Sequence, residues 1–316
     1  MGKVARVLFL GGLGRSGTTL VERLLGELPG VCALGEIVHL WQRDVRDDER
    51  CGCGARFSAC DFWDAVGERA FGGWHQVDVY RVLALQHAVE RTRYIPRLAA
   101  TRLPEDHVAL IEEYAGYYAA IYEAAALVSG AEVVVDSSKH SALAHCLRWW
   151  PGLDLRVVHV VRDARGVAYS WTKTVVRPEA EVPAEMTRYS PARSALLWNA
   201  HNAAFALLGR RGIPVRRIRY EEFVADPRTG LLDLAAFAGL DITVADLKFI
   251  DGEEADLRPG HSAAGNPMRF TVGRVPLRRD DAWRDAFPPV QRRLVGTVCA
   301  PLLRAYGYPL RSRSLP

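Results

Sequence analysis

The sequence predicts an α/β fold, a parallel sheet flanked by helices with a helical insertion over the strand ends. Three observations carry the prediction. Apolar, strand-like runs alternate with stretches of helical spacing through most of the 316 residues, the pattern of βαβ units. A glycine-rich turn, Gly11-Gly12-Leu13-Gly14-Arg15-Ser16-Gly17, joins the first run to the first helical pattern. Polar residues cluster at the C-terminal end of each run, where open α/β sheets bind ligands.

The first strand is read from Val4 to Leu10. Its glycine turn makes the fold P-loop-like: backbone N–H groups and a positive helix end face an anion. In a Walker A loop, G-x-x-x-x-G-K-[ST], the glycines would be Gly12 and Gly17, and the lysine would fall on Thr18. Without that lysine the loop lacks the usual hold on a β/γ-phosphate pair. Arg15 places a cation inside the loop instead, so the site suits a nucleotide with a short 5′ chain. A bare turn between core elements is the bland alternative. It explains less, because Gly14, Arg15, Ser16, Gly17, Thr18 and Thr19 coincide at one strand-to-helix switch.

Leu20, Leu24, Leu25 and Leu28 recur at helical spacing, and Pro29-Gly30 stops that helix. Residues 37–130 then break the βαβ rhythm as a helical insertion. Within it, Arg43 to Arg50 alternates charges like a solvated face, and Val77 to Arg93 and His107 to Ser129 read as helices. The latter carries Tyr114, Tyr117, Tyr118 and Tyr122, a stripe expected to pack in the core. Strands resume at Glu132 to Val135, ending in Asp136-Ser137-Ser138-Lys139-His140. They continue at Leu155 to Val161, ending in Arg162-Asp163, and at Ile213 to Tyr220, ending in Glu221-Glu222. From His261 to Trp283 periodicity is weak, and a loop that long is usually functional. Residues 261–285 are therefore expected to cover the ligand, within a single domain of residues 1–316.

Hydrophobic residues at 49% and charged residues at 25% suit a globule with a substantial core. A net charge of +4 is too small to argue for nucleic acid. The start Met1-Gly2-Lys3 leaves no room for a signal peptide, Arg6 spoils a myristoylation signal, and apolar runs such as Ala124 to Val128 are too short to span a bilayer. A cytoplasmic protein is expected. Six cysteines argue against a disulfide scaffold. Cys51, Cys53 and Cys60 can ligate a structural zinc with Cys32, His39 or Asp61 as the fourth ligand, yet the spacing fits no standard template and reduced thiols in a turn explain it equally well. No metal is expected to be required.

The third strand runs into Arg162-Asp163-Ala164-Arg165-Gly166-Val167-Ala168-Tyr169-Ser170. Arg162 at the strand end and Ser170 two turns into a helix reach the same surface, where a guanidinium fork and a hydroxyl can hold a monophosphate. An ion pair of Arg162 with Asp163 is the structural alternative. Together with the first loop this constellation resembles the sulfotransferase family that uses 3′-phosphoadenosine 5′-phosphosulfate (PAPS). Gly14 to Thr19 resembles its 5′-phosphosulfate loop, and Arg162 to Ser170 its 3′-phosphate motif. Tyr220-Glu221-Glu222-Phe223, Asp226-Pro227 and Phe237-Ala238-Gly239-Leu240 are similar to a further stretch of the family.

The resemblance covers the chain from the first strand to about Tyr306. It implies a five-stranded parallel sheet and sulfuryl transfer from PAPS, leaving 3′,5′-bisphosphoadenosine (PAP), to a hydroxyl or amine of a small-molecule, glycan or lipid acceptor. Glu36 resembles the catalytic glutamate of the tyrosylprotein branch, and His140 the catalytic histidine of the cytosolic branch. The Arg-Ser-Gly-Thr-Thr loop is closer to the former. Lys139 is suited to bridge donor and acceptor. The segment His261 to Phe270 resembles the flap that closes over the nucleotide, with Arg269 toward phosphate and Phe270 toward adenine, although the Arg-Lys-Gly flap signature is missing. Trp41, Trp74, Tyr114, Tyr118 and Trp171 are candidates for an apolar acceptor pocket or for core. Two rivals stay open: a P-loop kinase using Asp136 to hold Mg²⁺, and a non-catalytic nucleotide-binding module.

Overall fold

Five strands make the central sheet: β1 (Arg6–Gly11), β2 (Val31–Ala33), β3 (Val133–Lys139), β4 (Asp154–Val161) and β5 (Val215–Arg219). They lie in the order β2-β3-β1-β4-β5, all parallel, as the family resemblance implied. The structure is a computed structural model that describes residues 6–176 and 185–310, so Val4 of the expected first strand and the Met1-Gly2 start lie outside the described residues. On β1 the pleat sends Val7 and Phe9 into the core on one side and Leu8 and Leu10 into the core on the other. That double burial explains the unbroken apolar run, since helices cover both faces of a parallel sheet.

The helix α1 (Thr18–Leu25) follows the glycine turn, buries Leu20, Val21, Leu24 and Leu25, and ends at Gly26, one turn before the Pro29-Gly30 stop. The insertion is helical as expected, with α2 (Asp61–Phe71), α3 (Val79–Val89), α4 (Ile95–Leu98) and α5 (Glu105–Ser129). Trp41 sits at its centre, with the rings of Phe71, Trp74, Tyr117 and Tyr118 packed 5.6–6.2 Å from it. One expectation fails here. Arg43 to Arg50 is not a plain solvated face, because Asp44 is fully buried beside the charge of Arg269. Burial raises the Asp44 carboxyl to about 7, against the pull of Arg269.

Three helices lead up to β5, α6 (Ser141–Leu147), α7 (Ala164–Thr172) and α8 (Pro191–Gly209), and α9 (Tyr220–Ala225) follows it. The next, α10 (Pro227–Ala238), shows why its sequence reads as it does. Asp226 accepts from Thr229 N at 3.1 Å as N-cap, Pro227 opens the first turn, and Gly239 closes the helix at φ +76°.

Residues 250–276 hold what the sequence reading missed, a small antiparallel sheet of β6 (Ile250–Asp251), β7 (Glu254–Leu257) and β8 (Gly273–Pro276). The connection from β7 to β8 is not a free flap. Ala263 N donates to Leu34 O at 2.7 Å, and Arg23 donates to the carbonyls of Arg269, Arg258 and Thr271 at 2.6–2.9 Å. Short strands bounded by glycine and proline carry too little periodicity to be seen in advance.

Candidate active site

The loop between β1 and α1 is held open by close backbone approaches. A Cβ on Gly12, at φ +147°, would lie 2.5 Å from Val160 O, and one on Gly17, at φ +91°, would lie 2.2 Å from the Tyr220 ring. Arg15 itself has φ +74°, so the loop turns its side chain out through a left-handed residue. Its guanidinium lies over the Trp171 ring at 5.4 Å, and Trp171 Nε1 donates to Gly14 O at 2.9 Å. Arg15 Nε and Thr18 Oγ1 are buried in the wall of the adjoining cavity without a hydrogen-bond partner among the described residues. Buried donors are normally satisfied, so two such atoms beside a helix N-terminus fit an anionic group. Thr19 also lines the cavity, whereas Ser16 is buried beneath the loop.

The cavity has a volume of about 800 Å³ and opens at the C-terminal ends of β1, β3 and β4. Arg162 and Ser170 line it together, as their spacing predicted. Arg162 does not pair with Asp163, which instead binds Arg165 at 2.6 Å. Arg162 donates to Arg15 O at 3.1 Å and to Asp280 O and Oδ2 at 2.9 and 3.2 Å, and stacks on Tyr220. Burial would raise the Asp280 carboxyl, but the Arg162 charge, with Lys173, holds it below its ordinary range. Arg162 thereby ties the first loop to the segment after β8.

Both candidate bases face this cavity. Glu36 is ion-paired with Lys139, and His39 Nε2 lies 3.9 Å from its other oxygen. Lys139 reaches Glu36 because it ends β3 at φ +66°. Burial alone would raise the Glu36 carboxyl, yet Lys139 and His39 bring it below its ordinary value of 4.5. His140 Nδ1 lies 2.8 Å from Glu90 Oε1, and Glu90 is held in turn by Tyr114 OH at 2.5 Å and Gln86 Nε2 at 3.1 Å. Burial would lower His140, but the hydrogen bond and charge of Glu90 raise it above its ordinary 6.5. At neutral pH the cavity therefore holds an ionised Glu36, and Glu90 shifts His140 toward its protonated form.

Several expectations need correction. Arg269 is 2% exposed and points inward, donating to Ser262 O and Arg50 O at 2.8 Å each, so it braces the loop and does not reach the cavity. Phe270 packs under that guanidinium at 4.4 Å and does not line the cavity either. From the expected covering loop, Gly265, Asn266, Met268, Pro276 and Arg278 line the cavity instead. Of the aromatic candidates only Trp171 does so; Trp41, Tyr114 and Tyr118 are fully buried core, and Trp74 packs against them. Asp136, the acid a kinase would need, is sealed in the interior, accepting from Tyr122 OH at 2.6 Å and Ser138 N at 2.7 Å. The cysteine cluster lies outside the cavity lining, and its fourth member is His261, not Cys32, His39 or Asp61. Glu90, Arg193 and Arg278 also line the cavity and were missed, because nothing local in the sequence brings their separate segments together.

A parallel sheet with a glycine turn leading from its central strand into a helix defines an α/β protein of the P-loop-like class. Residues 8–244 match the Sulfotransferase family, and the chain belongs to that family. It is 30% identical over 179 residues to Carbohydrate sulfotransferase 5 of Mus musculus, covering 50% of this chain and 42% of that protein. It is also 30% identical over 177 residues to Carbohydrate sulfotransferase 6 of Homo sapiens, with the same coverage. The alignments thus span less than half of those relatives' length. Among solved structures, the sulfotransferase domain from the Synechococcus PCC 7002 olefin synthase is 20% identical, with a TM-score of 0.48 and 98% coverage of both chains. No helix among the described residues is long and apolar enough to cross a membrane.

Proposed function

We propose that this chain transfers a sulfuryl group from PAPS to a hydroxyl of a small-molecule or glycan acceptor, with Glu36 as general base. One observation carries the reading. Two anion anchors, the Gly12–Thr19 loop and the Arg162–Ser170 pair, open onto one cavity together with the Glu36–Lys139 pair. The first anchor suits the 5′-phosphosulfate, the second the 3′-phosphate. Loop N–H groups, Arg15, Thr18 and Thr19 then meet the charge that builds on the leaving phosphate. Lys139 sits beside the base, where a cation stabilises the sulfuryl oxygens in an in-line transfer. Glu36 is favoured over His140 because its depressed carboxyl is deprotonated at neutral pH, whereas Glu90 favours the protonated imidazole.

The carbohydrate acceptors in the names of the two relatives make hydroxyl-bearing glycans the first acceptors to test. The decisive assay incubates the protein with PAPS and a panel of oligosaccharides, reading PAP release and products heavier by one SO₃. ATP consumption without any response to PAPS would favour a kinase and overturn the reading.

Two predictions test the assignments. Arg162→Ala should weaken PAP binding by about 10- to 100-fold, the worth of roughly one hydrogen bond to a charged group, and weaken 5′-AMP binding far less. Equal losses measured by calorimetry would remove Arg162 from the 3′-phosphate site. The pH profile separates the bases. A depressed Glu36 is ionised above its pKa, so the acid limb of kcat/KM should lie below 4.5. With His140 as base the neutral form would appear only above 6.5, and activity would climb through that region.

A further inference from the structure

We propose that Cys51, Cys53, Cys60 and His261 form a closed zinc site that clamps the helical insertion onto the β7–β8 connection. The four ligand atoms lie within 4.8 Å of one another. Cys60 Sγ is 3.6 Å from Cys51 Sγ and 3.8 Å from Cys53 Sγ, and His261 Nδ1 is 3.3 Å from Cys60 Sγ and 3.9 Å from Cys51 Sγ. Zinc–sulfur bonds of about 2.3 Å and zinc–nitrogen bonds of about 2.1 Å in a tetrahedron put sulfurs about 3.8 Å apart and sulfur and nitrogen about 3.6 Å apart. The observed spacings scatter around both. They are far beyond the roughly 2.05 Å of a disulfide. Three thiolates and an imidazole select zinc over harder ions, and four protein ligands leave no open position, so the ion is structural.

The surroundings hold the fourth ligand in place. The His261 ring stacks on Phe62 at 4.9 Å, and Trp63 Nε1 donates to His261 O at 2.9 Å, which fixes the imidazole. Gly52 lets the two segments touch: its N–H donates to Ser262 O at 3.0 Å, and a Cβ there would lie 2.8 Å from Gly260 O. His261 is 201 residues from Cys60, so only the folded chain completes the site.

The clamp also bears on the cavity. Two residues beyond His261, Ala263 O accepts from Glu36 N at 3.0 Å, and a Cβ on Gly265 would lie 2.5 Å from Glu36 Oε1. The ion would thus hold the wall behind Glu36, a positioning role at a distance from the chemistry.

The test is metal content, which does not depend on Glu36 or on sulfuryl transfer. Full-length protein purified under reducing conditions from zinc-supplemented medium should carry one zinc per chain. Chelator-stripped protein should take up cobalt(II) with the thiolate charge-transfer and d–d absorption of a tetrahedral site, and regain thermal stability with zinc chloride. Cys53→Ser, at an exposed position that folding should tolerate, and His261→Ala should lose the metal, whereas His261→Cys should retain it. Reduced wild-type protein that neither carries zinc nor takes up zinc chloride overturns the proposal. So does zinc content that is the same in the Cys53→Ser and His261→Ala variants as in the wild type.

Discussion

Glu36→Gln should lower kcat by about 10²- to 10⁴-fold, the usual worth of a general base. The substitution keeps the side chain's size and one acceptor for Lys139 while removing the group that takes the acceptor proton. PAP binding should survive, because neither anion anchor includes Glu36. A matched measurement on His140→Gln completes the comparison. His140 is held by Glu90, which Tyr114 and Gln86 anchor from behind, an arrangement suited to orienting an acceptor. Loss of turnover in His140→Gln with near-normal turnover in Glu36→Gln would transfer the role of base to the histidine.

Arg15→Ala should lower kcat by about 10²- to 10³-fold, the cost of removing one preorganised donor from developing charge. The variant keeps a Cβ, so the left-handed backbone at φ +74° carries the same strain as before and the guanidinium alone is removed. Its stacking on Trp171 is worth only about 0.5–1 kcal/mol at a partly open site, so thermal unfolding should move little. Arg15→Lys should recover part of the rate, since an ammonium restores the charge without the planar fork. A variant with full turnover but weakened folding would show that Arg15 merely closes the loop against Trp171.

Both predictions rest on contacts that differ in how far the sequence reveals them. The loop and the Arg162–Ser170 pair were legible because each lies within one strand–turn–helix unit, where spacing along the chain fixes position in space. The burial of Arg269 was not. Its side chain turns inward to carbonyls at Ser262 and Arg50 and to the charge of Asp44, partners in two separate segments. Asp136 misled in the same way. A strand ending in an acid reads as a metal holder until Tyr122, from a helix in the insertion, is found bonded to it.

What the sequence by itself determined is the parallel sheet, the lysine-free glycine loop and the shared surface of Arg162 and Ser170. The reason is physical: unbroken apolar strand runs, glycine φ angles and helix starts are local properties of the chain. Only the tertiary structure decided that Glu36 meets Lys139, that Glu90 stands behind His140, and that His261 joins three cysteines about two hundred residues earlier. Those pairings depend on crossovers and on how the insertion packs over the strand ends, and no local spacing encodes them.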